Sequence, residues 1–303
     1  ITDGKDERTG VPVVSLYGAS KKPSATMLED VDIVLFDLQD VGARFYTYIS
    51  SMHYIMEGCA ENDRAFMVLD RPNPNGHYVD GPVLDMRWKS FIGMHPVPIV
   101  HGMTIGEFAQ MINGEKWLQG NVQCDLTVIK CEEYDHNTFY KVPVKPSPNL
   151  PNMSSIYMYP SLCLIEGTTL SVGRGTDKPF QVAGAPSLET DYSFVPESRP
   201  GARSPKHKGV KCFGYDLQEF GFETMREMRQ IYLHWVVSLY KQFPDKSDFF
   251  KKTGSFDLLC GSDEIRKMIV AGKTAEEIAA TWVDDVQEFK VTRSKYLLYE
   301  DFE

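Results

Sequence analysis

Apolar and polar positions in the first half of the chain alternate with two different periods. A short apolar run at 33–36 is typical of a buried strand, and a second run at 65–70 has the same character. Between these runs, residues 45–60 place apolar side chains at the spacing of one helix face. The pattern therefore predicts a strand, a helix and a second strand in succession.

The same alternation continues further along the chain. Residues 97–100 predict a third, short strand, and Thr104 and Glu107 have the spacing of a capping box at the start of the next helix. Residues 124–131 predict one more strand. Strands that alternate with helices favour an α/β fold with a mainly parallel sheet.

The chain changes character after this region. Residues 143–160 contain five prolines, so we interpret them as a rigid crossing rather than as continuous helix or central strand. Residues 161–167 resemble a strand. We expect a first domain at 1–145 and a smaller α+β domain at 146–303. The helices predicted in the second domain lie around 217–243, 262–271 and 274–289.

Composition excludes several classes of partner. The chain has 303 residues, of which 42% are hydrophobic, and so it can bury a large core. Its net charge is −10, from 42 acidic and 32 basic residues, which leaves no broad cationic surface for nucleic acid or anionic lipid. No apolar run approaches the ~20 residues of a membrane-spanning helix. We expect a soluble globular protein that binds no nucleic acid.

The cysteines have no metal-binding spacing. The sequence contains no CxxC pair, and most of the cysteines have apolar neighbours. We therefore expect buried free thiols and no metal site. The residues concerned are Cys59, Cys124, Cys131, Cys163, Cys212 and Cys260.

Polar side chains follow three of the predicted strands at the point where each strand ends. In open parallel sheets the carboxyl ends of the strands form the crevice where ligands bind. One strand of this kind would be explained by capping of the next helix. Three such strands in succession favour a ligand-binding site. The residues are Asp37, Gln39 and Asp40 after the first strand, Asp70 and Arg71 after the second, and His101 after the third.

A further candidate group lies in the segment SLCLIEGTTLSVGRGTDKPF. Glu166 follows several apolar residues, and apolar surroundings raise the pKa of a carboxyl group, as a general acid requires. Arg174 stands between two glycines, where its guanidinium is placed to hold a carboxylate or phosphate. The simpler alternative is that Glu166 and Arg174 form a salt bridge and the glycines only make a turn. Both interpretations stay open at this point.

Several longer blocks occur in order along the whole chain: FDLQDVGARFYTY, DRPNPNG, PIVHGMTIGEFA, PSPNLPN, YPSLCLIEGTTLSVGRGTDKPF and FDLLCGSDEIRKMI. Together they resemble the NamZ-like exo-β-N-acetylmuramidases, a bacterial family first known as a domain of unknown function. The resemblance implies a Rossmann-like α/β domain packed on a smaller domain, with the active site in the cleft between them. It also implies release of terminal N-acetylmuramic acid from the non-reducing ends of peptidoglycan fragments, without a cofactor.

The resemblance also implies which polar residues belong to the site. Asp80 and Val172 depart from the family pattern, because we expect glutamate at both positions. Family members carry an upstream Pro-Glu-His-Gly block that is absent here, and its glutamate would be another catalytic candidate. The matching residues are Asp37, Gln39, Asp40, Arg44, Tyr46, Asp70, Arg71, Asn73, His101, Asn149, Glu166, Arg174 and Thr176.

Glycoside hydrolysis usually needs two carboxyl groups, one protonated and one ionised. On the resemblance we assign the acid to Glu166 and its partner to Asp40 or Asp37, unless the upstream glutamate takes one role. We expect the protein in the bacterial cell envelope, periplasmic or secreted, with lipid anchoring left open and any targeting segment outside this chain.

Recognition of muramic acid calls for a cation, because a lactyl carboxylate distinguishes this sugar from glucosamine. Arg174 is the first candidate and Arg44 the second. We expect Tyr46 and Tyr48 to form an aromatic wall for the sugar ring, and the remaining matched residues, together with Asp80, to contact substrate.

Two other functions are compatible with parts of the sequence. A protein that binds peptidoglycan fragments without hydrolysing them would explain Val172 and the absent upstream block. A nucleotide-dependent Rossmann enzyme is less favoured, because no GxGxxG or Walker-type loop follows the first strand.

Overall fold

The computed structural model describes residues 3–16 and 21–303. The strands are β1 (Gly4–Lys5), β2 (Pro12–Val13), β3 (Ile33–Phe36), β4 (Ala65–Leu69), β5 (Leu126–Ile129), β6 (Val182–Ala185), β7 (Tyr192–Phe194) and β8 (Cys212–Asp216). The helices are α1 (Ala25–Leu28), α2 (Tyr48–Glu61), α3 (Ile105–Gly114), α4 (Met153–Leu162), α5 (Gln218–Met228), α6 (His234–Gln242), α7 (Ser255–Cys260), α8 (Glu264–Val270), α9 (Ala275–Ala279) and α10 (Val283–Arg293).

The first half of the chain forms a parallel sheet with the strand order β3-β4-β5. Helix α2 connects β3 to β4, and α3 lies between β4 and β5 in the chain, as the alternating pattern predicts. Phe36, Phe66 and Val68 share the buried face of the sheet, while Leu35 on the other face is 57% exposed. The α/β fold class predicted from the sequence is confirmed, and the core lies on the helix side.

The start of α3 is also as predicted. Thr104 is the N-cap, its hydroxyl accepts the Glu107 amide proton, and the Glu107 carboxylate accepts the Thr104 amide proton in return. The strand predicted at 97–100 is wrong, because Val100 makes only isolated bridges. Pro96 and Pro98 have no amide proton to donate to a ladder, and this prevents a regular strand there.

The region around α4 corrects two further predictions. Residues 161–167 are not a strand: they complete α4 and then form a 3-10 turn, Cys163–Gly167. The helix also runs through Pro160, so part of the proline-rich crossing is helical. A capping box between Asn152 and Ser155 starts the helix. Because α4 is buried almost all round, its sequence lacks the one-sided apolar pattern of a surface helix.

The second half combines a small antiparallel sheet with helices. Its strand order is β6-β8-β7. Helices α5, α6, α8 and α9 fall within the predicted helical regions, and the first region is divided where Arg229 adopts a left-handed conformation after α5. Helix α7 lies outside the predicted regions, and α10 continues past residue 289 to Arg293. The division into 1–145 and 146–303 stays a prediction.

The thiol prediction is confirmed. All six cysteines are free, and each of them except Cys131 is buried. Over the described part of the chain, no helix combines the length and the apolar character needed to cross a membrane.

Candidate active site

Two adjoining hollows share the side chains of Glu166 and Arg174. The first, which we call the aromatic hollow, has a volume of about 500 Å³ and is walled by Tyr46, Tyr48 and Tyr159, with prolines 146 and 148 at its edge. The second, which we call the loop hollow, has a volume of about 620 Å³ and lies against residues 201–207. Glu166 therefore stands at the junction of two accessible spaces.

Local structure brings Glu166 and Arg174 together. Glu166 lies on the 3-10 turn after α4, and Arg174 lies eight residues later between Gly173 and Gly175. Both glycines have positive φ, at 79° and 85°, a conformation that other residues rarely adopt. A Cβ on Gly175 would also come within 2.4 Å of the Glu197 carbonyl oxygen. The tight Gly-Arg-Gly turn thus directs the guanidinium toward Glu166.

The contact between the two side chains is a bidentate ion pair. Arg174 Nε donates to Glu166 Oε1 at 2.5 Å, and Arg174 Nη2 donates to Oε2 at 2.9 Å. Burial alone would lower the pKa of Arg174, but the hydrogen bonds to Glu166 outweigh it and the net shift is upward. The salt bridge considered from the sequence is therefore present. Both side chains keep about a third of their surface exposed and stay accessible to a ligand.

This ion pair changes the role expected of Glu166. The sequence suggested an apolar pocket that would keep a proton on the carboxyl group. Instead, a guanidinium contacts both oxygens of the carboxyl group. A charged partner, and not the apolar surroundings expected from the sequence, therefore lies against Glu166.

Asp40 is buried and lines neither the aromatic hollow nor the loop hollow, but its surroundings are those expected of the protonated partner. Its side chain is 5% exposed, and burial raises its pKa to about 7 against the opposing hydrogen bonds from the Gly42 and Val41 amides. Oδ2 accepts the Gly42 amide proton at 2.7 Å, while Oδ1 has no partner among the described residues. Asp40 also lies close enough to Tyr46 to add to the rise in the pKa of that phenol, after burial and Tyr48.

Asp37, Gln39 and Arg71 line a third hollow of about 320 Å³, which shares Tyr48 and Pro146 with the aromatic hollow. Asp37 accepts a hydrogen bond from Arg71 Nε at 2.7 Å. Gln39 donates to the carbonyl oxygens of Asp40 and Pro72. The end of β3 is therefore beside the candidate site, as predicted.

Asp70 and His101 do not join this cleft, and the expectation that they line it is wrong. Asp70 accepts hydrogen bonds from the Thr104 hydroxyl at 2.7 Å and the Gly106 amide at 2.8 Å, and so caps α3. His101 is fully buried with its ring 4.8 Å from that of Phe108, and burial lowers its pKa to about 3. His101 is a neutral core residue.

Arg44 is fully buried and lines none of the three hollows, so it is not placed to bind a substrate carboxylate. Its guanidinium donates to four backbone carbonyl oxygens, those of Pro82, Val97, Leu259 and Cys260, at 2.7 to 3.0 Å. The second candidate for the lactyl carboxylate therefore serves to hold distant backbone segments together.

Asn73 and Asp80 likewise bind neighbouring protein groups. Asn73 Nδ2 donates to the Met103 carbonyl oxygen at 2.9 Å. Asp80 accepts the Ile231 amide proton at 2.6 Å and the Trp282 indole proton at 2.8 Å. Both side chains connect the long loop after β4 to other segments, and neither lines the three hollows.

Asn149 and Thr176 support the loops around the site. Asn149 Nδ2 donates to the carbonyl oxygen of Gly201, a residue of the loop hollow, at 3.0 Å. Thr176 Oγ1 donates to the Gly173 carbonyl oxygen at 2.7 Å and stabilises the turn that carries Arg174. Their contacts are those of positioning residues.

The aromatic wall is more extensive than predicted. The ring of Tyr46 makes edge-to-face contacts with Tyr48 at 5.0 Å and with Tyr159 at 5.8 Å between centroids. The Tyr46 hydroxyl donates to the Pro146 carbonyl oxygen at 2.8 Å. Sequence reasoning missed Tyr159, whose only signal is its place in the block that precedes Glu166.

Sequence reasoning also missed the basic residues of the loop hollow. Arg203, Lys206 and Lys251 line it together with Arg174, and Val172, where we expected glutamate, forms an apolar part of its wall. No motif marks these three basic residues, because they come from two separate segments. Within the described residues, no group of three His, Cys, Asp or Glu side chains is placed to hold a metal ion.

A carboxylate in an accessible hollow beside tyrosine rings is an arrangement suited to a carbohydrate-processing enzyme. Comparison with known families agrees. The chain matches the N-terminal family model of the exo-β-N-acetylmuramidase NamZ at residues 1–154 and the C-terminal model at residues 157–299. The chain belongs to the NamZ exo-β-N-acetylmuramidase family.

Similar proteins cover most of the chain. The peptidoglycan β-N-acetylmuramidase NamZ of Bacillus subtilis is 42% identical over 97% of this chain and 74% of its own length. A DUF1343 family protein from Bacteroides fragilis matches with a TM-score of 0.93 at 50% identity, over 98% of this chain and 82% of its own. A second from the same organism matches with a TM-score of 0.83 at 31% identity and the same coverage.

Proposed function

We propose that this protein is an exo-β-N-acetylmuramidase, a glycoside hydrolase that releases terminal N-acetylmuramic acid from the non-reducing ends of peptidoglycan fragments. The observation that carries the proposal is the Glu166–Arg174 pair, which stands at the open junction of the aromatic and loop hollows in a chain of this family. The proposed substrates are fragments with N-acetylmuramic acid linked to N-acetylglucosamine.

The two carboxyl groups, those of Glu166 and Asp40, take different roles in the proposed reaction. We assign the ionised role to Glu166, which Arg174 contacts at both carboxylate oxygens: it stabilises the positive charge that develops on the sugar or acts directly as nucleophile or base. Asp40, whose pKa burial raises to about 7, supplies the proton for the leaving oxygen. Edge and face contacts with Tyr46, Tyr48 and Tyr159 would hold the sugar ring.

We further propose that the protein acts in the bacterial cell envelope, periplasmic or secreted. Its substrate class is cell-wall material, and turnover of that material would take place where it is shed. Detection of the protein in envelope or culture fractions of its native host, with a cytoplasmic marker as control, tests this location.

The activity is tested with a nitrophenyl β-glycoside of N-acetylmuramic acid and with a disaccharide that carries this sugar at its non-reducing end. Glu166→Gln should lower kcat by at least about a hundredfold, the lower range for removing a carboxyl catalyst. Glu189, an exposed glutamate outside the hollows, gives the matched control Glu189→Gln, which should retain full activity.

Turnover by the unmodified protein that Glu166→Gln abolishes supports the assignment. Equal activity in the unmodified protein and Glu166→Gln would contradict the role of Glu166. Saturable binding of N-acetylmuramic acid without any release of nitrophenol would instead identify a protein that binds peptidoglycan fragments.

A further inference from the structure

The loop hollow has an unusual charge for this protein. The chain carries a net charge of −10, yet the loop hollow is lined by Arg174, Arg203, Lys206 and Lys251. Among the described residues that line it, Glu166 is the one carboxylate, and Arg174 already contacts both of its oxygens. The hollow therefore keeps an excess of positive charge next to the candidate catalytic residue.

Lys206 is the most confined of these cations. Its Nζ donates to the carbonyl oxygens of Thr168, at 2.6 Å, and Leu170, which fixes the ammonium at the wall of the hollow. An ammonium has three protons to donate, so one remains for a ligand. Across residues 3–16 and 21–303, neither Lys206 nor Lys251 has a carboxylate at salt-bridge distance.

The two lysines also repel each other. Burial first and the charge of Lys251 second lower the pKa of Lys206 to about 7, while Glu166 acts weakly in the opposite direction. An anion bound between Lys206 and Lys251 would relieve this repulsion and satisfy the remaining donor. Within the described residues, the protein supplies no negatively charged group between the two ammonium groups.

We infer that Lys206 and Lys251 bind the lactyl carboxylate of N-acetylmuramic acid in the loop hollow and so determine the choice of sugar. This inference rests on the proposed function. The lactyl ether is attached to ring carbon C3, two bonds from the anomeric carbon, so a sugar whose anomeric carbon faces Glu166 from the aromatic hollow can direct its carboxylate into the loop hollow. Arg174 then positions Glu166, and the two lysines recognise the carboxylate of the substrate.

The test compares two nitrophenyl glycosides that differ only at the lactyl group, one with the carboxylate and one with its neutral carboxamide. The unmodified protein should prefer the carboxylate by about tenfold to a hundredfold in kcat/KM, the range of a charge-assisted hydrogen bond. Lys206→Met and Lys251→Met should each remove most of this preference by weakening the carboxylate substrate, with little change for the carboxamide.

Lys208→Met is the matched control, since Lys208 is exposed, close in sequence and outside the hollow, and it should keep the full preference. Lys251→Met guards against a folding defect, because the Lys251 side chain holds no backbone carbonyl of the described residues, whereas that of Lys206 holds two. An unchanged preference in both lysine variants would overturn the inference while leaving the proposed hydrolase intact.

A third glycoside tests which carboxylate the loop hollow binds, that of the lactyl group or that of an attached peptide. It carries a short peptide on the lactyl group, so that the nearest free carboxylate belongs to the peptide. If the lysine variants weaken this compound and not the free acid, the hollow binds the peptide and the lactyl assignment is wrong. If the unmodified protein hydrolyses none of the three, the proposed function fails. In that case, the Kd of N-acetylmuramic acid and the Kd of its carboxamide are each measured by calorimetric titration into the protein. The ratio of the two Kd values then decides the preference.

Discussion

Replacement of Arg44 by methionine should destabilise the protein strongly. The guanidinium lies in the interior and bridges carbonyl oxygens that are far apart in sequence: Pro82 and Val97 in the first half, Leu259 and Cys260 in the second. Burial lowers the pKa of Arg44 to about 10, so the residue stays charged at neutral pH. Methionine fills much of the same volume but donates no hydrogen bond.

The size of the loss follows from these contacts. A buried polar group left without its partner costs about 1–3 kcal/mol. The Val97 carbonyl also accepts the Leu84 amide proton, so the loss falls on the other three carbonyls. Removal of the guanidinium also relieves the cost of burying a charge, which offsets part of the loss. We expect a net decrease of about 3–5 kcal/mol in the free energy of unfolding, as for other broken buried charge contacts.

Urea unfolding followed by fluorescence measures this change from the shift in midpoint at constant slope. Arg87→Met is the control, because Arg87 is exposed and pairs with nearby Asp85, and it should change stability by less than about 1 kcal/mol. Arg44→Lys should lie between the two, since one ammonium cannot reach all four carbonyls. A loss under about 1 kcal/mol for Arg44→Met, with sugar selectivity altered, would refute the structural role.

Two further predictions concern titratable groups. The pKa of Asp40 is about 7 when folded against 3.8 for the free side chain, so its stabilising contribution is complete below about pH 4 and is lost as the pH rises through about 7. Asp40→Asn removes the proposed acid and should lower kcat/KM at every pH. It should also flatten the pH dependence of unfolding in that window and remove the fall in the residual kcat/KM above about pH 7. An unchanged profile for both would exclude the raised pKa. Burial raises the pKa of Cys59 and of Cys131 alike to about 11, so exposure decides the order, and native protein at pH 8 should be alkylated first at partly exposed Cys131. Mass spectrometry of partly labelled protein checks the order, and early labelling of Cys59 would contradict it.

The sequence by itself determined the parts of the fold that depend on nearby residues. The apolar run of β3, the helical spacing of α2 and the capping box of α3 are local features, and each appears in the structure where the pattern predicts it. The contact between Glu166 and Arg174 was also within reach, because only eight residues and a glycine-flanked turn separate them. The prolines at 96 and 98 were a local signal too, and reading them would have prevented the wrong strand.

Tertiary structure alone decided which polar residues face the hollows. Arg44 matched the family block as well as Arg174 did, but its partner carbonyls lie 215 and 216 residues away, and that contact buries it. Asp70 follows β4 as Asp37 follows β3, yet it caps α3, and His101, which the sequence placed after a third strand, packs in the core. Lys206 and Lys251 come from segments with no motif, and they meet because both segments hydrogen-bond to residues 167–170. Patterns along a chain record periodicity and local hydrogen bonding, whereas burial and charge balance are set by contacts between distant segments.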